Sequence, residues 1–250
     1  MLTRIRQTKE REVQTMPTYQ PEPSTHPSLR HTLLQSKQIE IIAEIKRASP
    51  SRGVIRENID IEHLAKTYER SGACAISVLT DETYFHGSSD DLRRVAEVTN
   101  VPLLAKDFIF SPKQVDRARY FGAHIVLVIA RFVTTEEAKA VIRRAKQLQM
   151  DVLIEVHTEE EIEKMRPFAS GAIFGVNNRD LSNFTVNVEP TNRLHDRLPR
   201  PYISESGFFT QEDVQQLRQT PDGLLIGTAL VLDEHPERLL RTFQLPKEVL

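Results

Sequence analysis

Eight short apolar runs alternate with longer amphipathic segments along this chain, and that alternation limits the fold more than any other feature. The runs are rich in β-branched residues and have the length of buried parallel strands. Their residue ranges are 40–46, 74–79, 102–106, 124–129, 151–155, 172–176, 201–204 and 223–226. Successive runs begin 21 to 34 residues apart, which leaves room for a helical crossover between parallel strands. The pattern therefore predicts an α/β fold.

The segments between the runs carry the signatures of helices. Ile61, Leu64 and Tyr68 fall on one face of the first segment, and Ser111 followed by Pro112 is a favourable helix start. Eight strand–helix units in 250 residues predict a single closed (β/α)₈ TIM barrel, whose usual length is about 250 residues. An open dinucleotide-binding sheet usually begins with a glycine-rich turn, whereas residues 47–53 contain a single glycine.

The first 35 residues have a different pattern. Residues 2–14 form a weakly amphipathic helix, and prolines at positions 17, 21, 23 and 27 require an extended connector after it. We therefore expect an N-terminal helix and Pro-rich connector over 1–35, packed on a barrel over 36–250. The N-terminus shows no apolar signal-peptide core, and no apolar stretch reaches the roughly 18 residues of a membrane span. These features predict a soluble cytoplasmic protein.

Charge and cysteine content exclude several classes of function. Lys and Arg number 33 against 35 Asp and Glu, so no net field attracts nucleic acid or an anionic membrane. Cys74 is the only cysteine, which excludes an internal disulfide framework and a cysteine-based zinc site. The histidines lack ligand-spaced partners, so we expect no metal site. Polar chemistry must then come from carboxylates, lysines, histidines and the backbone.

Charged residues end several of the predicted strands, and this is where a TIM barrel has its chemistry. Glu44 and Lys46 share one face of the first strand, while Lys106 and Glu155 directly follow apolar runs. Burying an unpaired charge is costly, so a functional role is favoured for Lys106 and Glu155, with a structural Lys–Glu ion pair as the alternative. For Glu44 and Lys46, a strand-end salt bridge explains the pattern equally well.

Other polar residues near strand ends also have two interpretations. Asn177 follows the sixth strand and either faces the site or closes a turn, as asparagine often does. Arg179 and Asp180 either serve the site or form a surface pair, and a structural role is favoured for Asp180. Asp107 is expected to be a helix-entry residue.

The loops after the seventh and eighth strands predict a phosphate site. A TIM barrel often binds phosphate there, with help from a short helix N-terminus. The two loops read Glu205-Ser206-Gly207 and Gly227-Thr228-Ala229, so each offers glycine N–H groups beside a hydroxyl. Ser49 and Ser51 add hydroxyls from the loop after the first strand. The expected substrate is therefore a phosphorylated small molecule.

These residues belong to a series of motifs that resembles the indole-3-glycerol phosphate synthase family. The motifs are IAEIKRASPS at 42–51, SVLTD at 77–81, YFHGS at 84–88, LAKDF at 104–108, IEV at 154–156, GVNNRDL at 175–181, SESG at 204–207 and LIGT at 225–228. The resemblance spans residues 40 to 230, in register with all eight predicted strands. The N-terminal helix is also similar to that family's extension. One departure is Ala105, where a larger residue is expected before Lys106.

The resemblance implies a (β/α)₈ enzyme of tryptophan biosynthesis that needs no cofactor. In its reaction, 1-(2-carboxyphenylamino)-1-deoxyribulose 5-phosphate closes a ring and loses CO₂ and water to give indole-3-glycerol phosphate. By the same resemblance, Lys106 is the general acid, Glu155 is its acid/base partner and Lys46 assists protonation.

The resemblance also implies supporting roles for the other motif residues. The groups that orient or stabilise the intermediate are Glu44, Asn177 and Glu205. Those that hold the phosphate are Ser49, Gly207, Gly227 and Thr228. The remaining substrate contacts are Arg179 and Ser206 with polar groups, and Leu104 and Phe108 with the aromatic ring. A monomer is expected, with other tryptophan-pathway enzymes as candidate partners.

Three other functions fit parts of the pattern. An isomerase such as phosphoribosylanthranilate isomerase also handles phosphate in a barrel, but it gives no reason for Glu-x-Lys and Lys-Asp-Phe together. A Schiff-base aldolase would use Lys106 as a nucleophile. A non-catalytic barrel that senses a sugar phosphate would not need both Lys106 and Glu155.

Overall fold

Eight parallel strands close into a barrel in the computed structural model, which describes residues 1–179 and 185–247. The strands are β1 (Glu40–Ile45), β2 (Ala75–Leu79), β3 (Leu103–Lys106), β4 (Ile125–Ile129), β5 (Asp151–Val156), β6 (Ile173–Asn177), β7 (Tyr202–Glu205) and β8 (Gly223–Ile226). Each strand pairs with the next in sequence, and β8 pairs with β1. The predicted TIM barrel is confirmed, and every predicted apolar run matches one of its strands to within one residue at each end.

Helices surround this barrel and follow the amphipathic segments. They are α1 (Leu2–Thr15), α2 (Leu29–Gln35), α3 (Ile61–Arg70), α4 (Glu82–Phe85), α5 (Ser89–Ala96), α6 (Pro112–Tyr120), α7 (Thr135–Gln147), α8 (Glu159–Met165), α9 (Glu189–Leu194), α10 (Gln211–Val214), α11 (Thr228–Leu232) and α12 (Pro236–Thr242). Their buried stripes pack on the outside of the strands; α3, for example, buries Ile61, Leu64, Ala65 and Tyr68. Ser111 and Pro112 begin α6 with a reciprocal capping box, as predicted.

The strands are almost entirely buried because both of their faces are covered. Inside the barrel, residues two apart on a strand stack along the axis, so Leu104 lies one layer below Lys106. The register sets these layers between neighbours: Ser77 of β2 lies beside Glu44 of β1 and beside Leu104 of β3. Glu44 and Lys106 therefore lie toward the carboxyl ends of the strands, which is where a TIM barrel has its chemistry.

The N-terminal helices lie at opposite ends of the barrel. Met1 and Leu2, at the start of α1, lie at the mouth formed by the carboxyl ends of the strands. On α2, Leu33 is fully buried, and its main-chain oxygen accepts from Lys247 Nζ at 2.7 Å near the amino ends. Between them the Pro-rich segment contains no helix or strand, and Ser28 donates to Asp151 at the start of β5. The predicted N-terminal helix is present as α1, and the same 35 residues also contain α2, which the sequence analysis does not predict.

Candidate active site

A cavity at the carboxyl ends of the strands brings most of the predicted site residues together. It is lined by twelve of them: Glu44, Lys46, Ser49, Lys106, Phe108, Glu155, Asn177, Arg179, Ser206, Gly207, Gly227 and Thr228. The other two do not line it. Leu104 is buried one layer below Lys106, and Glu205 is buried beside the Lys106 ammonium.

Lys106 lies at the centre of this site between two carboxylates. Its Nζ is 3.0 Å from Glu205 Oε2 and 3.3 Å from Glu44 Oε2. Burial disfavours the ammonium, but Glu205, Glu44 and Glu155 together raise the pKa of Lys106 above its usual range. An ammonium has three hydrogens, and the described residues accept two of these. Lys106 is therefore a charged donor with one hydrogen left for a molecule in the cavity.

Glu44 and Lys46 form the strand-end ion pair that the sequence allowed. Lys46 Nζ is 2.7 Å from Glu44 Oε1, and both side chains line the cavity. Burial acts to raise the pKa of Glu44, but Lys46 and Lys106 outweigh it and hold that pKa at about 2. Glu44 is therefore an anion that fixes two cations at the mouth.

Glu205 has the opposite electrostatic balance. Burial, together with Glu155 and Glu44, raises the pKa of Glu205 to about 7, although Lys106 acts to lower it. Its Oε2 contacts Lys106, while its Oε1 is buried without a hydrogen-bond partner among the described residues. This carboxyl group fits only because residue 175 is glycine, since a Cβ there would lie 2.2 Å from Oε1. A change of one proton near neutral pH is thus built into the floor of the site.

The predicted phosphate loops meet beside the Glu44–Lys46 pair. Gly227 ends β8 against these side chains, and a Cβ at this position would lie 2.4 Å from Glu44 Oε1. Gly207 has a φ of +97°, a backbone conformation that favours glycine. Ser49 contacts Ser51 at 3.3 Å between hydroxyl oxygens. These loops bring backbone and hydroxyl groups to one side of the cavity.

Asn177 and Arg179 join the site from the end of β6. Asn177 Oδ1 accepts from the Arg179 N–H at 3.0 Å, so this residue closes a turn and also lines the cavity. The Arg179 guanidinium donates to Ser51 Oγ at 3.1 Å and thereby links this loop to the one after β1. Asp180 and Leu181, which the sequence interpretation also used, lie outside the described residues.

The interpretation of Asp107 as a helix-entry residue is wrong. The next helix begins at Pro112 with Ser111 as its cap, five residues beyond the end of β3. Asp107 is instead buried, with its carboxylate 2.8 Å from Lys9 Nζ and 2.9 Å from Arg117 Nη2. The carboxylate therefore anchors α1 directly behind Lys106.

Sequence reasoning missed four residues in or beside the site. Met1 and Leu2 line the cavity from α1, and Phe85 lines it from α4. His157 lies behind Glu155, with 3.5 Å between Nε2 and Oε1. The available signal for His157 was its spacing of two residues from Glu155 and four from Glu161.

The described ranges, 1–179 and 185–247, contain no group of three His, Cys, Asp or Glu side chains arranged to hold a metal ion. Within those same ranges, no helix is long and apolar enough to cross a membrane.

Comparisons with known proteins agree on one family. The sequence model of the family described as indole-3-glycerol phosphate synthase matches residues 2–243. An indole-3-glycerol phosphate synthase of Exiguobacterium sp. is 43% identical over 244 residues, covering 96% of this chain and 94% of that protein. The one from Carboxydothermus hydrogenoformans is 42% identical over 220 residues, covering 85% and 83%.

Solved structures that resemble the chain share its fold at low sequence identity. The 3-hexulose-6-phosphate synthase of Salmonella typhimurium aligns with a TM-score of 0.65 and 13% identity, covering 82% of this chain and 96% of that chain. Tryptophan synthase subunit alpha of Legionella pneumophila aligns with a TM-score of 0.60 and 14% identity, covering 85% and 94%. At these identities the likeness shows the TIM-barrel fold alone.

Proposed function

The chain belongs to the indole-3-glycerol phosphate synthase family, carboxy-lyases of tryptophan biosynthesis, and we propose that Lys106 is the general acid of its ring closure. The observation that carries this assignment is the charged Lys106 ammonium, which lines the cavity with one hydrogen unused by the described residues. In the substrate, 1-(2-carboxyphenylamino)-1-deoxyribulose 5-phosphate, the aryl carbon attacks the ketone. The ketone oxygen gains negative charge in that step, so a positioned cation and proton donor lower its barrier.

The carboxylates divide the remaining proton chemistry. Glu155 is the acid/base group of the dehydration, and it lines the cavity with only 3% of its surface exposed. Glu44 holds Lys46 and Lys106 in place through ion pairs, and Lys46 assists protonation from the same edge. Glu205 and Asn177 orient the intermediate, Glu205 through its contact with Lys106.

The remaining predicted residues bind the substrate on opposite sides of the cavity. The phosphate lies against the hydroxyl-bearing and glycine loops, namely Ser49, Gly207, Gly227 and Thr228. Arg179 and Ser206 contact polar groups of the substrate, and Phe108 packs against its aromatic ring. Leu104 lies one layer below, where it packs beneath Lys106 and its neighbours and so supports the residues that contact the substrate's aromatic ring. This orientation places the ketone near Lys106.

A Schiff-base aldolase is the alternative that the geometry disfavours. A nucleophilic lysine must lose its proton, whereas three carboxylates around Lys106 stabilise the ammonium. The two functions are separated by adding the carboxyphenylamino substrate and following indole fluorescence. The chain has no tryptophan, so its own emission does not obscure the product.

The expected result is one CO₂ for each indole ring, with no adduct on Lys106 when borohydride is present. A borohydride-trapped, substrate-sized adduct on Lys106, found by peptide mass spectrometry, would contradict the general-acid role.

The oligomeric state, location and domain bounds are part of the same proposal. We infer a monomeric cytoplasmic enzyme, with residues 1–35 as a helical extension and 36–250 as the barrel. Light scattering of the purified chain tests the oligomeric state, and a stable dimer would contradict it.

A further inference from the structure

Asn178 follows β6 and joins the loop after β7 to α9 through its buried side chain. Its Nδ2 donates to Ser204 Oγ of β7 at 2.9 Å and to the Ser206 main-chain oxygen at 3.0 Å. Its Oδ1 accepts from the Thr191 N–H of α9 at 3.2 Å and from the Thr191 hydroxyl at 2.8 Å. Asn178 is 1% exposed and does not line the cavity. The amide group therefore uses both of its hydrogens and its oxygen within the protein.

The hydrogen bonds around this amide group have a fixed direction. The Thr191 N–H can only donate and the Ser206 carbonyl can only accept, so the amide oxygen and nitrogen cannot exchange places. The Thr191 hydroxyl donates to Asn178 and lies 2.7 Å from Ser204 Oγ, so Ser204 is the donor between the two hydroxyls. The three side chains thus close a buried ring of hydrogen bonds. No member can rotate without leaving a buried polar group unpaired, which is costly.

Ser206, which this ring contacts, has a backbone conformation that serine rarely adopts. Its φ is +67°, in the left-handed region. An L side chain disfavours that region by a factor of roughly five to thirty. Asn178 fixes the peptide planes on both sides of Ser206, because its main-chain N–H donates to the Glu205 oxygen at 2.9 Å and its side chain donates to the Ser206 oxygen. Two fixed peptide planes determine φ and ψ of the residue between them.

The turn that Asn178 holds in this way is part of the cavity wall. Ser206 and Gly207 both line the cavity, and Gly207 continues the left-handed turn with a φ of +97°. A change of Ser206 to a negative φ would redirect the serine hydroxyl and the following peptide group together, since the backbone turns only about φ and ψ. The conformation of Ser206 therefore sets which groups of this turn face a molecule in the cavity.

We propose that Asn178 is a positioning residue for substrate binding, which acts by holding Ser206 in its left-handed conformation. Backbone strain of this kind persists only where surrounding contacts determine it, and it is concentrated at binding and catalytic sites. The Asn178 amide supplies such contacts from outside the cavity. This inference rests on the proposed roles of Ser206 and Gly207 as substrate contacts and adds the residue that sets their geometry.

The test is steady-state kinetics of Asn178→Ala with 1-(2-carboxyphenylamino)-1-deoxyribulose 5-phosphate as the substrate. Without the amide group, Ser206 returns to the ordinary backbone preference of serine, so KM should rise roughly five- to thirtyfold. The main-chain bond from residue 178 to Glu205 remains, and the turn contacts groups that do not react. Binding is then weakened equally in the ground and transition states, so kcat should stay within roughly threefold of wild type.

Asn192→Ala is the matched control. Asn192 is a buried asparagine on α9 that also joins two segments: its Nδ2 donates to the Gln216 oxygen at 2.9 Å, and its Oδ1 accepts from the Arg218 N–H at 2.8 Å. None of these three residues lines the cavity. The control should lose stability while KM stays at the wild-type value. A rise in KM that is no larger in Asn178→Ala than in Asn192→Ala would overturn the proposal.

A Ser206→Gly background separates positioning from a general loss of structure. Glycine adopts the left-handed region without a steric penalty, so adding Asn178→Ala to Ser206→Gly should raise KM by less than about threefold over Ser206→Gly alone. An equal rise in KM in both backgrounds would contradict the proposal. If Asn178→Ala does not fold, Asn178→Ser replaces it, because serine keeps a hydroxyl near Thr191 but is one bond too short to hold the Ser206 oxygen. A wild-type KM in Asn178→Ser then overturns the proposal.

Gly207→Ala separates this inference from the proposed function. A side chain at a φ of +97° strains the turn directly, and its Cβ would lie 3.2 Å from Val186 Cγ1. A raised KM in Gly207→Ala beside a wild-type KM in Asn178→Ala overturns only the role of Asn178. A wild-type KM in Gly207→Ala overturns the proposed substrate contacts of Ser206 and Gly207, and the inference about Asn178 with them.

Discussion

Lys9 and Lys106 are both buried among carboxylates, yet only Lys106 faces the cavity. Lys9 Nζ lies 2.7 Å from Asp81, 2.8 Å from Asp107 and 3.0 Å from Glu12, and the residue is 1% exposed. In both lysines burial opposes the charge, and the surrounding carboxylates raise the pKa above its usual range. The two sites are therefore alike in their electrostatics.

The difference lies in where each ammonium group stands. Three carboxylates enclose Lys9 away from the cavity, whereas Lys106 has two carboxylate partners and an open side that lines the cavity. The same ion-pair chemistry thus anchors a helix at Lys9 and serves the proposed reaction at Lys106. A raised lysine pKa by itself does not distinguish the two lysines; the opening of Lys106 onto the cavity does.

Lys9→Met is the change with the largest expected effect on this comparison. It leaves Asp81 and Asp107 buried, with Arg117 as the remaining cation on Asp107, and breaking a buried ion pair in this way costs about 3–5 kcal/mol of stability. Thermal unfolding should show a fall in Tm of roughly 6–20 °C. Lys37→Met, at a more accessible lysine, is the control. A Tm within 2 °C of wild type would show that α1 is held by other contacts.

Lys106→Ala should act on rate, in addition to the loss of stability expected when Glu44 and Glu205 lose a buried cation. Turnover should fall by at least ~10²-fold, equivalent to about 2.7 kcal/mol in the barrier, because the proposed general acid is lost. KM should change little, since the phosphate loops are intact. Steady-state kinetics with fluorescence detection measures both values. Near-wild-type turnover in a correctly folded variant would overturn the assignment of Lys106 as the general acid.

The carboxylates of the two clusters should respond to pH with opposite signs. Glu205, whose pKa rises from 4.5 to about 7, holds its proton more tightly in the folded protein, so its contribution to stability is lost as pH rises through about 7. Asp107, whose pKa is lowered from 3.8, contributes above that value and loses its contribution as pH falls through the lowered pKa.

Two variants test these signs by thermal unfolding. Glu205→Gln should reduce the fall in Tm between pH 5 and pH 8. The reduction should be about 2–4 °C for each kcal/mol by which the variant lessens the pH-dependent loss of unfolding free energy. Asp107→Asn should leave that interval unchanged and reduce the loss of stability below pH 4. The comparison fails if both variants shift the Tm–pH curve in the same interval.

Ser49→Ala has the smallest expected effect and tests the phosphate side of the site. One hydrogen bond to a charged group contributes about 1.5–3 kcal/mol, so KM should rise roughly 10- to 150-fold. Because phosphate binding is shared by the ground and transition states, kcat should stay near wild type. A fall in kcat with an unchanged KM would place Ser49 with the reacting groups instead. Gly227 is less suitable, since any side chain there strikes Glu44.

The barrel and most of the site were predictable because their signals are local. Strand length, helix periodicity and caps such as Ser111 are written within a few residues, and parallel topology brings all strand ends to one mouth. This is why Lys106 and Glu155 were identified from sequence and lie where the prediction places them. How deep a side chain lies within the barrel is not encoded in its neighbours along the sequence. Leu104 and Glu205 were therefore assigned to the cavity, although they lie behind the residues that line it.

The Lys9 cluster could not be predicted from sequence for the same reason. Lys9 lies on α1, whereas its partners Asp81 and Asp107 follow the ends of β2 and β3. No residue near Lys9 in the sequence predicts this contact. Asp107 was misinterpreted because an aspartate after a strand commonly begins a helix. The contact between His157 and Glu161 depends on how α8 returns over the end of β5, which spacing alone does not reveal.

The position of α1 over the mouth sets an order for assembly during synthesis. The helix is made first, but the partner of Arg6, Glu137, follows 131 residues later. At ribosomal rates of 5–20 residues per second, this delay is roughly 7–26 s. The barrel itself closes only when β8 pairs with β1, later still. Helix α1, which is made before the barrel, is thus among the last segments to reach its native contacts, and an isolated α1 of 14 residues is only marginally helical until then.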